Sequence, residues 1–239
     1  MAGVTPVQDA VAYYGSSGSG GSLPCTYTSP NVSGNIGIAW LTADKGAGPS
    51  GISDTQGNSW IPFQGTFTNG GYTTLWVCPT LKPGANTVTV TGLVAGTSPS
   101  IAPVLTLLEL APPASGWVGI QGIKGPLEIN LSGPPLTFEA LFSSTQTPYT
   151  ATLLAFIKTT TAGDAVGAKS WSIATPGGSL ASGVIVTYTD TGLSITGAAA
   201  YCTVGNSAEN EITFSYSPSS PALPSGATFL IGILFNSSS

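Results

Sequence analysis

The chemistry open to this chain is set first by what its side chains lack. Across 239 residues there are five Lys, five Asp and five Glu, with no Arg and no His. Without imidazole, neither a Ser-His-Asp nor a Cys-His constellation can form, and no His-based metal site exists. No guanidinium can clamp a phosphate or carboxylate, and no G-x-G-x-x-G or P-loop context appears. Carboxylates are what remains. A pair of them flanking a glycosidic bond can hydrolyse it, and Glu109, Glu128, Glu139, Glu209 and Glu211 are the stock for such a pair. Glu109 lies in the apolar run LTLLELA (105–111), yet nothing marks a second carboxylate as its partner. It reads as a strand-end carboxylate at a sheet edge or subunit interface, and the chain reads as a non-enzyme.

Two other groupings invite a ligand. Ser53-Asp54-Thr55-Gln56-Gly57-Asn58 has the look of a calcium-loop fragment, but the alternating Asp/Asn series and the closing Glu are missing. A turn is expected instead, with Asp54 and Asn58 bonding their own backbone and Gly57 supplying a positive φ. No metal and no cofactor are expected. Trp60, Tyr72, Trp76 and Trp117 are candidates for stacking on a sugar, against the competing reading that they fill a core. The three cysteines, Cys25, Cys78 and Cys202, form no CxxC motif and an odd number cannot all pair within one chain. They read as buried free thiols, with a Cys25–Cys78 disulfide as the alternative. Asn31, Asn130 and Asn236 stand in N-x-Ser sequons.

The positioning elements are strands. Gly and Pro, 32 and 19 of them, recur too often for any long helical period. Thr87-Val88-Thr89-Val90-Thr91 alternates, which places both valines on a buried face. Ile36 to Leu41, Val184 to Tyr188 and Ile212 to Tyr216 have strand length, while Val104 to Leu110 and Phe229 to Phe235 are nearly continuous apolar runs suited to the centre of a sandwich. Turn clusters such as Asp44-Lys45-Gly46, Asn69-Gly70-Gly71, Lys82-Pro83-Gly84 and Pro176-Gly177-Gly178 separate them. The expected fold is all-β.

The two halves echo each other. IAWLTAD (38–44) leads to NSWI (58–61) as LAFIKTTTAGD (154–164) leads to KSWSI (169–173). Cys78 precedes Asn86 as Cys202 precedes Asn210, and each Asn opens an alternating strand. Trp40 is expected to match Phe156, Trp60 to match Trp171, and Cys78 to match Cys202. The chain is accordingly expected to hold two tandem antiparallel β-sandwich domains, Ig-like or jelly-roll-like, related by internal duplication and spanning 1–112 and 113–239. Residues 1–22 are expected to include a flexible arm, since 15–22 read GSSGSGGS. Val7, Val11, Tyr13 and Tyr14 are then either the first strand of the first domain or the contact residues of an arm docking on a neighbouring subunit.

Charge narrows the partners. The formal net charge is −5 and only 6% of residues are charged, against roughly 25% in typical soluble domains. No clustered cation is available for nucleic acid or for an anionic membrane surface, and no apolar run has the length of a transmembrane helix. The first residues, MAGVTPVQDAVAYYG, carry no basic n-region and read as an unprocessed start.

The stretch SDTQGNSWIPF (53–63), followed by an aromatic strand and then by LKPGANTVTVTG (81–92) and LTLLELA (105–111), resembles a recurrent bacterial and phage Ig-like β-sandwich module. Its marks are a D-x-x-G-N turn, an A-G-A-N-T-V-T-V strand and a closing Glu-containing strand. The second half lacks the D-x-x-G-N and Lys-Pro-Gly turns, as a diverged copy would. Such modules occur in phage structural proteins and surface adhesins. With the unprocessed start, the sparsely charged surface, the tandem sandwich and the missing catalytic groups, the expected function is that of a structural protein of a bacteriophage virion surface, a capsid decoration protein, head fibre or tail appendage. Its expected partners are copies of itself and other virion proteins. The alternative is a secreted or cell-surface adhesive module that binds host-surface glycan.

Overall fold

Runs that alternate β-branched with polar residues between Gly and Pro punctuation become strands throughout, and there is no helix among the described residues. The computed structural model describes 5–13, 21–43, 48–66, 72–93, 103–112, 117–130, 136–141, 150–159, 170–174, 180–190, 195–205, 211–217 and 227–237, with side chains at 5–13, 21–42, 48–62, 73–93 and 103–112. The chain divides into two units that meet in sequence between Pro112 and Pro113.

The first unit contains β1 (Thr5–Tyr13), β2 (Gly21–Thr26), β3 (Ile36–Ala43), β4 (Gly51–Asp54), β5 (Ile61–Thr66), β6 (Tyr72–Cys78), β7 (Thr87–Leu93) and β8 (Val104–Ala111). They form two antiparallel sheets, a five-stranded one in the order β1-β8-β3-β6-β5 and a three-stranded one in the order β2-β7-β4. Strands distant in sequence are neighbours: β1 lies on β8, β2 on β7 and β3 on β6. A core fills the space between the sheets. Leu23 and Cys25 of β2 and Val88, Val90 and Leu93 of β7 meet Ala39 and Leu41 of β3, Trp76 of β6 and Leu105 and Leu107 of β8. Along β7 the valines are buried and Thr91 is exposed, the period-two pattern that a half-covered strand requires. β8 is different, because Val104 to Leu110 are all buried. Ile36, Ile38 and Trp40, on the face of β3 opposite Ala39 and Leu41, are also withdrawn from solvent. A strand buried on both faces needs apolar residues at consecutive positions, which is why this run does not alternate.

One expectation narrows here and one changes. Thr5–Tyr13 is paired along β8 from Thr5↔Ala111 to Tyr13↔Val104, and Gly21–Thr26 is paired with β7. Within 1–22, Thr5–Tyr13 is thus a strand, the first of the two alternatives for Val7, Val11 and Tyr13, and β2 begins at Gly21, while 1–4 and the Gly/Ser-rich residues 14–20 lie outside the described residues. Glu109 stands on β8, an interior strand, and is fully buried instead of sitting at a sheet edge.

The second unit contains β9 (Trp117–Asn130), β10 (Leu136–Leu141), β11 (Thr150–Thr159), β12 (Ser170–Ala174), β13 (Leu180–Asp190), β14 (Ile195–Gly205), β15 (Glu211–Ser217) and β16 (Ala227–Ser237). Its antiparallel sheets run β13-β14-β11-β16-β9 and β10-β15-β12. Cys202 on β14 lies opposite Leu153 of β11, as Cys78 on β6 lies opposite Gly37 of β3. Trp60 and Trp171 do not correspond in this way. Trp171 is within β12, paired with Tyr216, whereas Trp60 follows β4 in the segment before β5.

Candidate functional site

Two carboxylates organise the described side chains, and each is held by neutral donors. Asp54 closes β4. Its Oδ1 accepts from the backbone N–H of Gln56 at 3.1 Å and of Asn58 at 2.9 Å. Its Oδ2 accepts from Asn58 Nδ2 at 2.7 Å, Trp60 Nε1 at 3.0 Å and Asn86 Nδ2 at 3.3 Å. Gly57 makes the turn possible with φ of 63°. Burial pushes the Asp54 carboxyl up, but the bonds from Asn58, Trp60 and Asn86 outweigh it and leave the group below its ordinary range.

A cation does sit on this turn, and it is a side chain. Lys82 Nζ donates to the carbonyls of Gln56 at 3.1 Å and Gly57 at 2.8 Å, while the Lys82 backbone N–H donates to Asn58 Oδ1 at 2.9 Å. The tethered ammonium occupies the carbonyl oxygens that a bound metal would otherwise recruit. Thr55 completes the clasp, accepting from Thr87 N–H at 3.0 Å. The D-x-x-G-N turn, the Lys-Pro-Gly turn and the Asn that opens β7 are therefore one hydrogen-bonded unit. Among the described residues no group of three or more His, Cys, Asp or Glu could hold a metal ion.

Glu109 gathers a second set of donors, with Tyr27 between it and Asp54. Oε1 accepts from Val32 N–H at 2.8 Å and Asn35 Nδ2 at 2.7 Å, and Oε2 accepts from Asn31 Nδ2 at 2.7 Å and from Gln8 Nε2. Each oxygen has two donors, so the carboxylate is committed to holding β1 and the loop after β2. Burial and, after it, the charge of Glu109 push the Tyr27 phenol well above its ordinary value, and that hydroxyl donates to Leu108 O at 3.2 Å. Sequence reasoning found Glu109 but not its donors. Asn31 was singled out only as a sequon, and its buried amide is committed to Glu109, which leaves it inaccessible for glycosylation in the folded unit.

The aromatic candidates separate. Trp76 is buried in the core between the sheets. Trp60 is half-buried, with its indole N–H on Asp54 and its ring so close to Gly37 that a Cβ there would lie 2.9 Å from Cη2. Both rings pack against protein. The side chains of Tyr72 and Trp117 lie outside the described residues, as does Tyr14. Val7 and Tyr13 are exposed on β1 and Val11 is half-buried. These residues share one face of β1, while Gln8, Ala10 and Ala12 share the other. Cys25 and Cys78 are buried free thiols, and burial pushes Cys25 up to about 12.

Comparison with known proteins adds no relative. No family model, no curated protein and no solved structure matches this chain.

Proposed function

We propose that the chain is a non-enzymatic structural protein of a bacteriophage virion surface, a capsid decoration protein, head fibre or tail appendage, built from two copies of one jelly-roll sandwich. The observation that carries the reading is the strand order. In the first unit β1 pairs with β8, β2 with β7 and β3 with β6; in the second, β9 pairs with β16, β10 with β15 and β11 with β14. A long antiparallel hairpin rolled onto itself produces these three nested pairs, as in the jelly rolls of viral capsid and lectin domains; both units depart from that pattern in the same way, with β5 on β6 and β13 on β14 in place of a fourth nested pair. That both units nest alike favours duplication over two unrelated sandwiches.

The side chains support a structural role. The two organised carboxylates are saturated by neutral donors, and the chain has no His or Arg with which to build a catalytic constellation. A surface of hydroxyls and amides re-pairs across an interface at lower desolvation cost than one of charges. The lectin use of jelly rolls keeps glycan binding as the second reading, with Tyr72 and Trp117 as its remaining aromatics once Trp60 and Trp76 are assigned to packing.

The test is particle association. Virions purified from cells that express the chain should carry it in fixed proportion to the major capsid protein, measured by quantitative mass spectrometry. Recovery from the cell wall or medium with no particle association, together with binding on a glycan array, overturns the virion reading in favour of the adhesive one.

A further inference from the structure

We infer that β1 is an exchangeable strand, which in the assembled protein lies on β8 of a neighbouring copy instead of its own β8. The inference rests on the assembly reading above and names the surface through which copies join.

The anchoring of β1 is unlike that of its neighbours. It is an edge strand of the five-stranded sheet. To the core between the sheets it contributes two small side chains, Ala10 and the partly buried Ala12, where β8 contributes Leu105 and Leu107. Its register is held by a polar latch. Gln8 Nε2 donates to Glu109 and, at 3.0 Å, to Ser29 O, while Gln8 Oε1 accepts from Ser29 N–H at 2.8 Å and Thr28 Oγ1 at 3.0 Å. None of these partners lies on β1, so a β1 arriving from another copy meets the same Glu109, the same Ser29 and the same β8 backbone. Exchange conserves the contacts, the condition under which strand swapping costs little.

The connection permits it. Residues 14–20, YGSSGSG, join β1 to β2, and six of the seven are Gly or Ser. Gly/Ser-rich sequences impose little stiffness on a connection, and seven residues reach at most about 25 Å when extended. When β1 leaves, the edge of β8 is opened, and an open strand edge takes up another strand. Concentration then decides between own and neighbouring strand. A short flexible linker gives an effective concentration of the order of millimolar. At about 10 µM chain, roughly one copy in a hundred is exchanged; copies packed side by side in an assembly approach the millimolar range, where exchange competes on equal terms.

Val11 and Thr106 are directly opposed across the β1–β8 pair and supply the probe. In a background with Cys25→Ala, Cys78→Ala and Cys202→Ala, a chain bearing Val11→Cys is mixed with a chain bearing Thr106→Cys and oxidised, and the disulfide-linked heterodimer is read on a non-reducing gel. A single chain bearing both substitutions must close its own disulfide, which verifies the register; Tyr13→Cys with Val104→Cys is the second pair. With the native linker, the heterodimer is expected near 1% at about 10 µM and to rise in proportion to concentration. Deleting residues 14–20 leaves one peptide unit, about 3.8 Å, to bridge sheets that pack about 10 Å apart. That variant is expected to oligomerise and, in an equal mixture of the two chains, to cross-link up to about half of them at the same concentration. No heterodimer in either background, while the doubly substituted chain closes normally, overturns the exchange. If light scattering still shows an oligomer in that case, the assembly reading survives and uses another surface; a monomer at all concentrations that also fails to bind virions removes both.

Discussion

Replacing Asp54 by Ala tests whether the turn is a structural clasp. The substitution removes an acceptor for five donors, but they are not equally affected. The backbone N–H groups of Gln56 and Asn58 and the Asn58 amide lie at the surface end of the turn and regain water. Asn86, buried to 1% exposure, and the half-buried Trp60 do not. A donor left unsatisfied in the interior costs about 1–3 kcal/mol. Two such donors at the low end of that range give a loss of about 2–3 kcal/mol, or a melting temperature about 10–20 °C lower for a unit of this size. Urea unfolding followed by tryptophan fluorescence measures it, with exposed Ser53→Ala as the control. The pH dependence fixes the cause. The folded carboxyl lies below its ordinary value, so its contribution is complete above an unfolded pKa of about 3.9 and is lost as pH falls through the lower folded value. The gap between wild type and Asp54→Ala should be constant from neutral pH down to about 5 and close below about 4. A loss under about 0.5 kcal/mol, within the range of ordinary surface substitutions, would refute the argument.

Glu109 should separate two substitutions of similar size. Glu109→Gln replaces one oxygen by an N–H donor, but Asn31 Oδ1, which has no partner now, can turn to accept it. The expected cost is about 1–3 kcal/mol, whereas Glu109→Leu leaves the donors of Asn31, Val32 and Asn35 without an acceptor and should exceed about 4 kcal/mol or abolish folding. Equal urea midpoints for the two variants would contradict this. Chelation with EDTA, or added calcium, should leave the melting temperature unchanged, because Lys82 already holds the carbonyls of the turn; a calcium-restored loss would show a metal. A thiol reagent at neutral pH should leave Cys25 and Cys78 unmodified until denaturant is added, since both are buried and burial raises both thiols. Prompt reaction of either in the native protein would mean that the core between the sheets opens locally.

What could be read beforehand follows the range of the forces involved. The alternation of Thr87 to Thr91 and the unbroken apolar run of β8 are local records of one-face and two-face burial, and the strands are where those patterns place them. The turn at Asp54 was legible from its own Asp, Gly and Asn. Its closure by Asn86 and Lys82 was not, because that depends on Asp54 lying opposite Val88 across the β4–β7 pair. The same holds for Glu109, whose donors come from β1 and from the loop after β2. Trp76 and Trp60 looked alike, each open between a core and a sugar platform, and only the place of Trp76 between the sheets and the approach of Trp60 to Gly37 assign both to packing. The β1 stretch was left between strand and arm because Ala10 and Ala12 carry too little apolar area to mark an inward face.

The nesting of the first unit also sets the order in which it can be made. Contacts across β3 and β6 close over 32 residues, those across β2 and β7 over 61, and the latch between Gln8 and Glu109 over 101. Loop closure from 32 to 101 residues adds about 1 kcal/mol of entropy to be overcome before any contact rewards it. The β5–β6 hairpin, in which Thr66 lies opposite Tyr72, closes over a shorter loop still, so the entropy to be overcome rises outward from it to the β1–β8 pair. Such a high contact order places folding in the millisecond-to-second range. On the ribosome the unit stays incomplete until β8 emerges, by which time β1 has waited through the synthesis of every other strand in its sheet. Within this unit, the strand made first meets its partner last.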